Sequence, residues 1–287
     1  MCLRIDHDLL VRRAFQLPPL PQSAARLAHL LTTDDSDLRE IIKVIEYDPA
    51  LTMKLLRVAN SAIGGSRYHI GTVREALIRL GTGTVAGFAV ASCVRPLMGN
   101  TIPGYSITEK DFWKHSLAAA FAAGSIQAHS RNWTSQLAFT AALLHDIGKL
   151  VLGQLLTPET LAWLERATSE GKQSAFQAEA EILSLHHGEA GGVIAQHWGL
   201  PDSLVKGIVY HHDPDNGEDG ICHVTYLANL VAHWLESNPQ AEESALQLLL
   251  LPPVGPVLER LGMAGKSLVA VSEDVRQGLQ AVAGKIE

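Results

Sequence analysis

Apolar residues along this chain recur at intervals of three and four, the spacing of one helix face. Pro18, Pro19 and Pro21 fix an extended entry, after which Leu27, Leu30 and Leu31 mark a helix that begins near Ser23. Leu38, Ile41, Ile42 and Ile45 form the stripe of a second helix over 37–45. Asp48 is placed to cap a third over 50–60, with Pro49 in the first turn and Leu51, Leu55 and Val58 on one side. Thr72 caps a helix over 73–80. A small-residue helix follows over 84–98, where Gly87, Ala89, Ala91 and Ser92 permit close approach. These short helices predict an N-terminal bundle. Segment 100–106, NTIPGYS, reads as a linker.

Beyond it the predicted helices lengthen, to 108–129, 136–152, 158–171, 174–198, 201–212 and 221–236, with a polar turn at 214–220. Pro252, Pro253 and Pro256 interrupt the C-terminal part, which carries a short helix at 258–261 and a longer one at 267–282. No stretch alternates long enough for a sheet, and no fixed-period repeat appears. The pattern predicts an all-α fold.

Composition narrows the classes. Apolar residues make up 47% of the 287, so the chain can bury a real core. The formal net charge of −7 argues against a nucleic-acid binder, which needs a concentrated basic face. The five tryptophans are spaced too widely for a base-stacking platform and read as helix-packing anchors. Cys2, Cys93 and Cys222 are odd in number and lack CxxC spacing, which fits a reducing compartment. Residues 1–13 contain acidic groups and no long apolar run, so no signal peptide is expected. No run approaches 18 apolar residues, and no membrane span is expected. Neither Gly64-Gly65 nor Gly81-Thr82-Gly83 makes a phosphate loop, and no GxSxG is present.

The candidate chemistry lies in the histidines of the second half. His145-Asp146 sits in LLHDIGKL, His211-His212 ends a predicted helix, and His115 and His187 lie on two others. Imidazole and carboxylate are the ligands suited to Fe, Mn or Zn, and a carboxylate can bridge two ions. Spacing alone leaves two readings open, a metal site and a set of hydrogen-bonded core or surface histidines. His29, His129, His223 and His233 read as ordinary core or surface histidines, and Glu179, Glu181 and Glu189 as a solvated helix face, with a role supporting His187 as the alternative.

The order His115, His145-Asp146-Ile147-Gly148-Lys149, His187, His211-His212 resembles the HD phosphohydrolase superfamily. The strings LPPLPQSAARL, IIKVIEYDPALTMKLLRVANSA, TVREALIRLG and SLVKGIVYHHDP resemble the HDOD family, the HD-related output domains of bacterial signal transduction. The resemblance runs from about Leu17 to His233. It implies an N-terminal multi-helix bundle over 11–107 packed on an HD-like helical subdomain over 108–238, with a C-terminal helical tail over 239–287. It implies a metal site of His115, His145, Asp146, His187, His211 and His212, with Asn229 a weak ligand where related two-metal enzymes carry an aspartate. Lys149 and Asp146 are the catalytic candidates if the protein is an enzyme, and one or two divalent ions (Fe, Mn, Zn or Ni) are the implied cofactors. After His212 the chain reads DPDNGEDGI in place of a Gly-Tyr-Pro signature, which disfavours cyclic dinucleotide hydrolysis.

The expected function is a cytoplasmic regulatory output domain that binds a signalling protein or a small-molecule or nucleotide ligand. The alternative is a metal-dependent phosphohydrolase or phosphodiesterase. No receiver, GGDEF or DNA-binding segment is read in the 287 residues, so input is expected through noncovalent contacts or through 239–287.

Overall fold

The computed structural model describes residues 5–32, 37–62, 70–170, 173–238, 243–251 and 254–282. An initial helix, α1 (His7–Ala14), is capped by Asp6 and has no counterpart among the expected elements. It buries Leu10 and Ala14. The next five helices follow the hydrophobic stripes: α2 (Gln22–Leu30), α3 (Leu38–Glu46), α4 (Pro49–Ala62), α5 (Val73–Leu80) and α6 (Thr82–Val94). Capping occurs where the side chains allow it. Asp48 Oδ1 accepts from the Leu51 N–H at 3.0 Å while its Oδ2 accepts from Ser23 Oγ at 2.7 Å, pinning the start of α4 to α2. Thr72 accepts from the Glu75 N–H to open α5.

Segment 100–106 is not a linker. Thr101–Ile102 (β1) pairs antiparallel with Ile107–Thr108 (β2) in a small hairpin. The hairpin closes against the following region because Gly153 has no side chain: a Cβ there would overlap the Pro103 carbonyl. The remaining helices are α7 (Glu109–His129), α8 (Ala138–Leu144), α9 (Lys149–Leu155), α10 (Pro158–Ser169), α11 (Ala175–Leu183), α12 (His187–His197), α13 (Asp202–Val209), α14 (Gly220–Ser237), α15 (Val254–Leu261) and α16 (Ser267–Val282).

Two helices expected to be continuous are broken. Residues 136–152 divide at His145–Gly148, where successive i→i−3 turns replace the helical ladder. Residues 174–198 divide at Ser184, which takes a left-handed conformation (φ 60°) and ends α11.

One apolar cluster runs through both halves, from Leu27, Ile41, Leu55 and Phe88 to Leu144, Ile147 and Ile208. A second joins α7 and α14 to the C-terminal helices through Ile126, Val231, Leu258, Leu268 and Val271. Ser125 on α7 donates to Asp274 on α16 at 2.5 Å. Trp113 and Trp198 are packing anchors as expected, whereas Trp163 is 44% exposed. Among the described residues no single helix is long and apolar enough to cross a membrane.

Candidate metal centre

Most of the implied ligands sit at helix ends. His145 and Asp146 occupy the turn between α8 and α9, His187 is the first residue of α12, and His211-His212 follow the end of α13. Adjacent residues in a regular helix diverge by about 100°. Outside a helix the neighbours in each pair are free to face one point. Gly148 makes the approach close, because a Cβ there would overlap the His187 carbonyl and the Gly191 backbone nitrogen. His115 and Asn229 lie in mid-helix on α7 and α14.

The structure brings all of these side chains together. His187 Nε2 lies 3.2 Å from His211 Nε2, 3.0 Å from His212 Nε2 and 3.3 Å from Asp146 Oδ1. His115 Nε2 lies 3.3 Å from His145 Nε2 and 3.1 Å from Asn229 Oδ1. Asp146 Oδ2 is 3.5 Å from His145 Nε2 and 3.9 Å from His115 Nε2. The Asp146 carboxylate therefore stands between two clusters, one oxygen toward each. Lys149 Nζ donates to Oδ2 at 2.6 Å and is largely buried rather than solvated.

Proton placement tests whether this set fits an ion. His145 Nδ1–H donates to the Ala142 carbonyl at 2.7 Å and His211 Nδ1–H to the Ile208 carbonyl at 2.6 Å. Burial lowers His145 to about 3 and holds His211 well below its ordinary value, so both rings are neutral and both Nε2 atoms carry bare lone pairs. His187 Nδ1–H donates to Glu179 Oε2 at 2.6 Å, which leaves its Nε2 facing the same point. Burial opposes ionisation of Asp146, but Lys149 and the imidazoles around it hold the carboxyl well below the usual range. On the Oδ1 side, the Nε2 lone pairs of His187 and His211 and the carboxylate oxygen face a common point that Lys149, bound to Oδ2, does not occupy. Ligands about 2.1 Å from an ion and adjacent in its coordination sphere lie about 3.0–3.4 Å apart, which the three spacings from His187 Nε2 match. The residues fit a divalent ion.

Sequence reasoning missed three participants. Glu179 is not on a solvated face: it is 1% exposed, and it also accepts from the His187 N–H at 2.8 Å and the Tyr105 hydroxyl at 2.9 Å. Glu181 and Glu189 are exposed as expected. Tyr105 comes from the tip of the hairpin, with Lys149 Nζ 5.8 Å from its ring centre. Glu236 Oε1 lies 2.9 Å from His115 Nδ1, and Glu236 Oε2 lies 3.2 Å from His233 Nδ1. The signal for Glu236 was present. Residues 229, 233 and 236 stand at i, i+4 and i+7 on one helix face. Of the histidines expected to be ordinary, His29 faces the Gly199 carbonyl, His129 the Ser125 carbonyl and His223 the Asp215 carboxylate. Cys222 is buried and its thiol is pushed up to about 12, Cys93 is half-buried, and Cys2 lies outside the described residues.

A predominantly helical chain that gathers a His-Asp turn and four further histidines around one carboxylate has the arrangement expected of the HD superfamily. More specifically, the HDOD domain family matches residues 17–214, and the chain belongs to that family. Among solved structures, an HDOD domain protein of unknown function from Geobacter sulfurreducens has the same fold, with a TM-score of 0.70 at 22% identity, covering 96% of this chain and 99% of that one. An uncharacterized protein of Treponema pallidum (strain Nichols) is 24% identical over 242 residues, 83% of this chain. The match spans 46% of that relative, so this chain accounts for about half its length. Ribonuclease Y of Thermus thermophilus is 34% identical over 105 residues, 37% of this chain and 13% of that enzyme.

Proposed function

We propose that this protein is a cytoplasmic regulatory output module of a bacterial signalling pathway. It acts by binding a protein partner or a small ligand, with a divalent ion held by His187, His211, His212 and Asp146 Oδ1. In this reading residues 11–107 form the partner-facing bundle, 108–238 carry the ion, and 239–287 brace the second half. Tyr47, Met53 and Ile78, on or beside α3–α5, are 84%, 72% and 76% exposed, and large exposed apolar groups of this kind support a protein partner.

The observation that carries the reading is the inequality of the two clusters. A two-ion hydrolase needs each ion anchored by charge. Here the oxygen of Asp146 that faces His115 and His145 is already neutralised by Lys149 at 2.6 Å, and Asn229 offers only a neutral amide. One ion is well supplied and the other is not.

The second reading is a metal-dependent phosphohydrolase or phosphodiesterase, favoured by the lysine beside the bridging carboxylate and by the partial similarity to Ribonuclease Y. A bound ion would supply a Lewis acid and an acidified water. Asp146, His187, His211 and His212 would hold it, and Lys149 would balance charge on a phosphate oxygen. Purification without chelator, metal analysis and a broad phosphoesterase and nucleotide screen separate the two. The regulatory reading expects bound metal without turnover. Metal-dependent turnover that disappears in His145→Ala replaces it with the hydrolase.

A further inference from the structure

His115 faces acceptors with both of its ring nitrogens. Nδ1 lies 2.9 Å from Glu236 Oε1. Nε2 lies 3.1 Å from Asn229 Oδ1 and 3.3 Å from His145 Nε2, and that nitrogen of His145 is bare because its ring proton is committed to the Ala142 carbonyl. A neutral imidazole has one proton and one lone pair. Whichever side receives the proton, the other is left with lone pairs facing each other, which either a second proton or a metal cation resolves.

The two sides differ in what they offer that cation. Inward there is the neutral Asn229 amide and the Asp146 oxygen already paired with Lys149. Outward there is Glu236, with one oxygen toward each of two imidazole nitrogens, at 2.9 Å from His115 Nδ1 and 3.2 Å from His233 Nδ1. Those spans match ligands adjacent around an ion with bonds of about 2.1 Å. The His115 and His233 rings lie 4.3 Å apart, and the side chains of His233 and Glu236 are 53% and 41% exposed, so an ion arrives from solvent without opening the fold. With its proton on Nε2, His115 donates inward to the Asn229 oxygen and presents its lone pair outward.

We infer that His115 Nδ1, His233 Nδ1 and Glu236 form a divalent-cation site on the outer side of His115, suited to Zn²⁺, Co²⁺ or Ni²⁺ by its two imidazoles and one carboxylate. Its occupation excludes an ion between His115 and His145, since the single lone pair of His115 is used outward. The site goes beyond the centre proposed above, using two residues outside it and not requiring an ion at His187.

The experiment is a Co²⁺ titration of the full chain, stripped of metal beforehand and followed by visible absorption. Wild type is compared with His233→Ala, Glu236→Gln, Asn229→Ala and His211→Ala, each checked by far-UV circular dichroism. His233→Ala is at the surface and is expected to fold. It and Glu236→Gln are each expected to weaken one Co²⁺ by at least about tenfold, while His211→Ala retains that ion and Asn229→Ala, which removes the acceptor of the His115 Nε2 proton, weakens it less than His233→Ala does. A His233→Ala protein that titrates like wild type overturns the site, as does loss of the same ion in His211→Ala. Loss of a different ion in His211→Ala reports on the His187 centre alone, so the two readings fail separately.

Discussion

Gly148 has no side chain, and the place its Cβ would take is filled by the His187 carbonyl and the Gly191 backbone nitrogen. Both obstacles are backbone, so neither can rotate away. Gly148→Ala is expected to cost about 1–3 kcal/mol through overpacking, read as a lower urea midpoint, and to reduce metal retention by moving His187 from Asp146. Asp48 carries a prediction of a different sort. Hydrogen bonds from Ser23 and the Leu51 N–H hold its carboxyl below the ordinary 3.8. The unfolded chain therefore takes up the proton first as pH falls. The stability that the ionised group contributes is complete above about pH 3.8 and is lost as pH drops through the lower folded value. Asp48→Ala is expected to cost about 1 kcal/mol at pH 7, and the gap from wild type should narrow at pH values below that range in urea unfolding. A gap that stays constant with pH would count against the cap.

At the scale of elements, the hairpin, α11 and α12 are tied by one buried carboxylate. Glu179 accepts from the Tyr105 hydroxyl, the His187 N–H and the His187 ring. Burial opposes its ionisation, while His187 holds its carboxyl below the usual range. Removing it leaves three buried donors without a partner, each worth about 1–3 kcal/mol. Glu179→Ala is thus expected to be among the most damaging substitutions, and Tyr105→Phe, which removes one donor, to cost about 1 kcal/mol. Chemical denaturation of both variants checks the ranking. Element by element, local pattern predicted α5 with its Thr72 cap, α4 with its Asp48 cap, and α16. It failed at His145–Gly148, where the turn packs against the backbone of α12, and at Ser184, whose left-handed backbone leaves no mark in the hydrophobic stripe. Glu179 and Glu181 are the same residue two positions apart, and only the packing of α11 decides that one is buried and the other exposed.

Over the whole molecule, an ion that binds only the folded state adds stability in proportion to the logarithm of its free concentration. At one hundred times its dissociation constant the gain is about 2.7 kcal/mol. Addition of Zn²⁺ or Mn²⁺ to chelator-treated protein is expected to raise the thermal midpoint, and excess chelator to reverse it. His211→Ala should lose the part of the rise that comes from the His187 centre, since His211 is fully buried with its Nε2 turned to the other ligands. Equal metal stabilisation of that variant would place the ion elsewhere.

The amino-acid order alone determined the helical class, most helix positions and the identity of the residues that meet at the centre. The helix positions follow from periodicity and capping residues, which are properties of neighbouring positions, and the ligand set from the resemblance of the motifs to the HD and HDOD families. Tertiary packing decided which of those helices break, which carboxylate is buried behind His187, and which nitrogen of each imidazole faces inward. These depend on acceptors brought from segments distant in the chain, such as Glu179 and Tyr105 beside His187 or Glu236 beside His115. A side chain's proton follows its partner, and the partner is known only once the chain has folded.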